Sequence, residues 1–163
     1  MVTVRPATWE DVFLVSEAME SRNVEYVIVG GFAFMAHGLK KRTFDIDITI
    51  KPTDSNIELT KMALKDMGMK GISFEWQKYH TIRIVCDYII DMSFTSGQRS
   101  WKTLSENIEY FSYRTGKLPV ISIKELLETK SSDFLKDIND RKLIKKFLYL
   151  LNGTKTYHVD LLR

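Results

Sequence analysis

Isoleucine and acid alternate along Phe44–Ile50 (FDIDITI). Side chains change face at every strand residue, so Phe44, Ile46, Ile48 and Ile50 share one face and Asp45, Asp47 and Thr49 the other. Upstream, the β-branched and aromatic run Val24–Val29 predicts a buried strand. Gly30 and Gly31 end it, Phe32–His37 reads as a short helix, and Gly38 is placed as its C-terminal cap. Before this unit, Thr8 and Asp11 form a capping-box pattern. It opens a helix with Val12, Phe13, Val15 and Met19 on its apolar face, closed near Asn23.

After Pro52, one of Thr53, Asp54 and Ser55 caps a helix over Asn56–Met67, with Ile57, Leu59, Met62 and Leu64 partly inward and Gly68 at its end. Three strands follow, Ile72–Trp76, Thr81–Cys86 and Tyr88–Phe94, and their short turns predict an antiparallel meander. A helix from about Ser100 carries Trp101, Leu104 and Ile108. Tyr110–Arg114 and Leu118–Ile121 read as strands about a turn at Thr115–Lys117. Ser122 caps a helix reaching about Lys136, with Leu126, Leu127 and Phe134 inward. A last helix spans about Asn139–Leu151 and ends at Asn152–Gly153. These elements predict an α/β (α+β) chain with a mixed, mostly antiparallel sheet, flanking helices and a C-terminal helical pair.

Composition narrows the classes. The 163 residues fit a single domain, 1–163, with a sheet-containing core (1–121) and a helical extension (122–163). A hydrophobic share of 44% and a charged share of 28% are those of an ordinary globule. A net charge of +3 permits an anionic partner without demanding one. The single cysteine, Cys86, excludes an internal disulfide and suits a reducing cytoplasm. The start, MVTVRPATWEDVF, lacks the apolar core of a signal peptide, and no run of 18 apolar residues predicts a membrane span.

The candidate chemistry sits on the alternating strand. Asp45 and Asp47 lie roughly 7 Å apart along it, from a rise of about 3.3 Å per residue. Like charges so close raise each other's pKa unless a cation intervenes, and hard oxygen donors suit Mg²⁺. Gly30 and Gly31 let a ligand approach the backbone, at a helix start that attracts phosphate. Asp91 is a lone acid in an otherwise apolar strand (IIDMSF), costly to bury unless paired or metal-bound; its rival, Asp87, reads as a turn residue. Arg83, on the neighbouring strand, can pair with Asp91 or reach a phosphate. His37 is expected to position backbone by a hydrogen bond. Trp76, Tyr79 and His80 offer stacking rings, although Trp76 also suits a core. Lys142, Lys145 and Lys146 read as a solvated helix face, too sparse for an RNA stripe. Each motif also has a plain structural reading: a double glycine as a tight turn, the paired acids as a solvated edge.

The ordered set GGFAFMAHG…KRTFDIDI, with thirteen residues between Gly31 and Asp45, resembles the DNA polymerase β superfamily of nucleotidyltransferases. In its fuller form it is similar to the small AbiEii-type, toxin-like members. The resemblance implies that Asp45, Asp47 and Asp91 are catalytic and bind metal, Mg²⁺ or Mn²⁺. It implies that Gly30, Gly31, Arg42, Thr43 and Lys130 bind the nucleotide, an NTP and ATP in the first place. Lys41 competes with Arg42 and Thr43 for the phosphate. In the C-terminal line Lys130 matches the family lysine, Lys136–Asp137 the family's Arg–Asp pair, and Asp140 its final acid. Lysine at 136 lacks the bidentate fork of arginine. The implied activity is transfer of a nucleoside monophosphate to tRNA, a protein or a small molecule such as an aminoglycoside. The implied setting is a cytoplasmic toxin–antitoxin or phage-defence system with a cognate antitoxin. The competing class is a non-catalytic nucleotide- or RNA-binding module on the same fold.

Overall fold

The computed structural model describes residues 3–69, 81–114 and 116–160, with side chains through residue 152. The expected strand Ile72–Trp76 and the rings of Tyr79 and His80 lie outside these residues. In order, the chain forms α1 (Trp9–Ser21), β1 (Tyr26–Ile28), α2 (Gly30–Ala36), β2 (Asp45–Ile50), α3 (Asp54–Asp66), β3 (Thr81–Val85) and β4 (Ile89–Ser93). It continues with β5 (Thr95–Ser96), β6 (Arg99–Ser100), α4 (Trp101–Ser105), β7 (Ile108–Tyr113), β8 (Gly116–Ile121), α5 (Ile123–Glu128) and α6 (Leu135–Asp160).

Among the described residues, one six-stranded sheet has the order β3-β4-β2-β1-β8-β7, and β5 pairs with β6 apart from it. β1–β2, β3–β4 and β7–β8 are antiparallel; β2–β4 and β1–β8 are parallel. The sheet is therefore mixed and mostly antiparallel, as expected. The β3–β4 hairpin matches the predicted meander, but the other neighbour of β4 is β2, running parallel. That pairing joins segments about forty residues apart, and no local pattern announces it.

Apolar faces decide the packing. Ile46, Ile48 and Ile50 of β2 are fully buried, with Ile90 and Met92 of β4 beside them. Val12, Val15 and Met19 of α1 and Phe32 and Phe34 of α2 complete the same core. β1 is buried along its whole length.

Local signals account for most helix ends. The Thr8 hydroxyl caps α1 by accepting from the Asp11 amide, and the Asp11 carboxylate accepts from the Thr8 amide, completing the box. Asn23 takes φ of 55°, turning the chain out of the helix. Thr53 caps α3. Asn56, buried there, accepts from the Glu25 amide and donates to the Glu25 and Lys51 carbonyls, clamping the outer ends of β1 and β2 together. Gly38, with φ of 88°, follows α2 as predicted.

Four expectations need correction. Met62 is 46% exposed; the inner face of α3 is Asn56, Thr60, Ala63 and Leu64, because both polar residues satisfy their own hydrogen bonds when buried. Ile108 belongs to β7. The Ser122-capped helix stops at Glu128, well short of Lys136, and Phe134 is 79% exposed. The last helix continues through Asn152–Gly153 to Asp160. No helix among the described residues is long and apolar enough to cross a membrane.

Asp11 also takes a two-pronged ion pair from Arg5, at 2.7 and 2.8 Å. That pair, opposed by burial and aided by Thr8, holds the Asp11 carboxyl down at about 2. A depressed folded-state pKa stabilises the protein above the unfolded value, and the contribution is lost as pH falls from about 4 through 2. Urea titrations across this window should show stability falling in the native protein and falling less in Asp11→Asn. At neutral pH, Asp11→Ala should cost about 1 kcal/mol, the usual worth of a cap interaction.

Candidate active site

Strand register builds the acidic cluster. In the parallel β2–β4 pair, Asp47 stands opposite Asp91; in the antiparallel β3–β4 pair, Asp91 stands opposite Arg83. Asp45 lies two residues before Asp47 and so on the same face. One carboxylate oxygen from each of Asp45, Asp47 and Asp91 lies within 4.8 Å of the others. The three acids selected from the sequence thus converge, from two strands, on one face of the sheet. Asp87 lies in the β3–β4 turn, outside the cluster.

Crowding shows in the electrostatics. Burial, then the charges of Asp45 and Asp91, push the Asp47 carboxyl up to about 6, while Lys130 and Lys136 act to lower it. Arg83 places both prongs of its guanidinium on Asp91, at 2.8 and 2.7 Å, and reaches within 3.9 Å of Asp45 Oδ2. The hydrogen bond to Asp91, and then its charge, raise the Arg83 pKa further. Three converging hard-oxygen donors, crowded enough to gain from an added positive charge, suit a divalent cation such as Mg²⁺ or Mn²⁺.

The glycines meet side chains of the protein itself. Gly30 has φ of 61°, and a Cβ there would stand 2.0 Å from Asp47 Oδ2. At Gly31 a Cβ would meet Thr43 Cβ at 2.4 Å. Their first structural effect is to let β2 and the basic turn close onto the start of α2, so the room they leave is taken up by the protein's own side chains. Thr43 directs its hydroxyl to the Asp45 carbonyl and carboxylate, at 3.2 and 3.3 Å, so it steadies Asp45. Arg42 is exposed at the rim.

A cationic wall faces the glycines. Asp140, almost fully buried, pairs with Lys41, and its Oδ2 lies 3.5 Å from Lys130 Nζ. Both ammonium groups lie over the Phe34 ring, 5.0 and 5.5 Å from its centre. Lys130 follows the end of α5 instead of riding on a helix, and its backbone is held from two sides. Arg141 donates to the carbonyls of Lys130 and Ser132. Next to it, Gly97, at φ of 57°, packs against the Thr129 carbonyl, while Arg99 pairs with buried Glu125. Asp137 accepts from Ser132 and so shapes the loop after α5. Gly30, Gly31, Phe34, Lys41, Arg42, Thr43, Asp45, Asp47, Lys130, Lys136 and Asp140 line one cavity of about 230 Å³. Lys41 joins this wall through Asp140, almost a hundred residues away, a contact no local pattern announces. His37 makes the expected backbone contact, to the Ile121 carbonyl at 2.8 Å.

Two substitutions test this geometry. Gly30→Ala should lower the melting temperature and push Asp47 out of the cluster, since both φ and the Cβ position are unfavourable. Asp47→Asn, which removes one of three crowded charges, should raise the melting temperature of EDTA-stripped protein while abolishing any Mn²⁺-induced rise. Differential scanning calorimetry with and without Mn²⁺ reads both.

No known family's sequence profile matches the chain, and no curated protein matches it. Solved structures do. The lincosamide antibiotic adenylyltransferase LnuA, lincomycin-bound, superposes with a TM-score of 0.60 at 20% identity, covering 86% of this chain and 98% of that one. A Thermotoga maritima protein described as a nucleotidyltransferase superposes at 0.55 and 15% identity, covering 88% and 96%. The enzyme ANT(2″)-Ia, in complex with adenylyl-2″-tobramycin, superposes at 0.55 and 12% identity, covering 84% and 87%. At these identities the likeness is one of architecture: the chain has the nucleotidyltransferase fold.

Proposed function

We propose that this chain is a metal-dependent nucleotidyltransferase that moves the nucleoside monophosphate of an NTP, ATP in the first place, onto an acceptor hydroxyl. The observation that carries this reading is the convergence of Asp45, Asp47 and Asp91 beside the Gly30–Gly31 turn and the lysines opposite. Asp45 and Asp47 would hold Mg²⁺ or Mn²⁺, with Asp91 as a further ligand. The metal, when bound, would neutralise charge developing on the phosphoryl oxygens.

The chain's own groups divide the remaining work. Gly30 and Gly31 let Asp47 and Thr43 close onto the start of α2, whose backbone N–H groups would face the triphosphate. Lys41, Lys130 and Lys136, with Arg42 at the rim, would face its phosphates. Asp91 would take the proton of the acceptor hydroxyl as its oxygen bonds to the α-phosphorus. The bond from that phosphorus to the β-phosphate oxygen breaks, and pyrophosphate leaves. Catalysis of this kind is mostly positioning and charge compensation.

The cavity's 230 Å³ falls short of the roughly 300–1,000 Å³ of a whole small-molecule site, which suits the phosphate end alone. Across Lys41–Phe44 lies an apolar cleft of about 670 Å³, lined by Ala7, Trp9, Phe32, Met35 and Phe44. It offers surface to a base or an acceptor ring. The likeness to two antibiotic adenylyltransferases favours a small-molecule hydroxyl as acceptor. The Lys130–Asp140 segment keeps a second reading in view, an AbiEii-type toxin acting on tRNA or protein and held by an antitoxin. A reducing cytoplasm suits the free Cys86.

Incubating the protein with each α-labelled NTP and Mg²⁺ or Mn²⁺, against lincosamides, aminoglycosides, total tRNA and its own chain, tests donor and acceptor together. Label should move to a small-molecule hydroxyl. Transfer to tRNA or protein would select the toxin reading, and no transfer to any would leave a binding module. Asp91→Asn should lower kcat by about 10²- to 10⁴-fold, the worth of a general base. Asp45→Ala with Asp47→Ala should abolish transfer.

A further inference from the structure

Arg83 stands apart from the other cations near the cluster. Lys41 and Lys130 are anchored by Asp140 and serve the Asp47 side. Arg83 serves the Asp91 side, and no second acid outside the cluster pairs with it among the described residues. Its fork engages both oxygens of Asp91, and Nη2 also faces Asp45. A divalent cation shared by these carboxylates needs their oxygens at about 2.0–2.6 Å from one point. A guanidinium nitrogen 2.7 Å from Asp91 and facing Asp45 stands in the gap such an ion requires. The side chains differ in freedom to move: that of Arg83 is 59% exposed, on β3, the outermost of the described strands there, and that of Asp91 only 13%. The guanidinium is the half of this pair that water can receive once a metal supplies the positive charge Asp91 would otherwise lose, whereas Asp91 is fixed between β2 and β3.

We infer that Arg83 is an exchangeable counter-cation: it neutralises Asp91 and Asp45 until a divalent metal binds, then swings to solvent, so that it competes with the metal for Asp91. Opening the fork also uncovers the Asp91 lone pairs toward the acceptor, which couples metal entry to release of the base. The inference rests on the metal-site reading above, and its test separates the two.

EDTA-stripped native protein, Arg83→Gln and Arg83→Lys are titrated with Mn²⁺ by electron paramagnetic resonance, and melted with and without the ion. Arg83→Gln should bind Mn²⁺ about fivefold tighter, because the competitor is gone, with Arg83→Lys between. Stripped Arg83→Gln should melt lower than native protein and gain more from Mn²⁺. Equal or weaker Mn²⁺ affinity in Arg83→Gln overturns the inference while leaving the metal site intact. Absence of Mn²⁺ binding in native protein overturns both. Should Arg83→Gln fail to fold by circular dichroism, Arg83→Lys decides: tighter than native supports the exchange, equal or weaker overturns it.

Discussion

Three like charges held within 4.8 Å of one another are the constraint around which this structure is arranged. Two unit charges at that separation repel by on the order of 3 kcal/mol at an effective dielectric near 20. The register that produces this is set from the other side of the same strands. Ile46, Ile48, Ile50, Ile90 and Met92 are fully buried, each worth about 1.5–3 kcal/mol. A slip of one residue would exchange these apolar side chains for the acids. Hydrophobic burial therefore fixes the pairing, and the carboxylates are carried into contact by alternation.

The rest of the site offsets that repulsion in two ways. Glycine at 30 lets the Asp47 carboxylate lie against backbone, where any Cβ would collide. Cations then approach from opposite sides: lysines organised by Asp140 on the Asp47 side, arginine on the Asp91 side. Asp140 pairs closely with Lys41 and only loosely with Lys130, leaving its second oxygen without a hydrogen bond. A buried carboxylate between two ammonium groups keeps both from drifting, and their charge still reaches outward to the glycine turn.

What the sequence disclosed follows the range of each signal. The alternation of Phe44–Ile50, the Thr8–Asp11 box and the Gly38 cap are local chemistry, and the fold repeats them. Asp91 was legible because a lone acid in an apolar strand needs a reason to be there. The parallel β2–β4 pairing was not legible, since strand patterns specify faces but not neighbours. Phe134 was misplaced inward because apolar spacing cannot tell a helix from the loop that interrupts it: the chain leaves α5 after Glu128 so that Lys130 can face Asp140. The Gly30–Asp47 contact was hidden for a related reason. A glycine announces a close approach, and only the tertiary structure says by what.

The two sides of the cluster differ in rigidity, and this orders any reaction it performs. Toward Asp47, the lysines and glycines are tied into α2, the α5–α6 loop and the β5–β6 hairpin by buried contacts. Toward Asp91, the flanking strand is the outermost of the described strands on that side, and its arginine is mostly in water. A triphosphate needs fixed charges that do not reorganise as its bond breaks, which is how preorganised electrostatics lowers a barrier. An acceptor must enter, present a hydroxyl and leave altered, which calls for a side that can open. The rigid side would therefore take the nucleotide and the open side the acceptor, with Asp91 at the boundary as the carboxylate able to meet both.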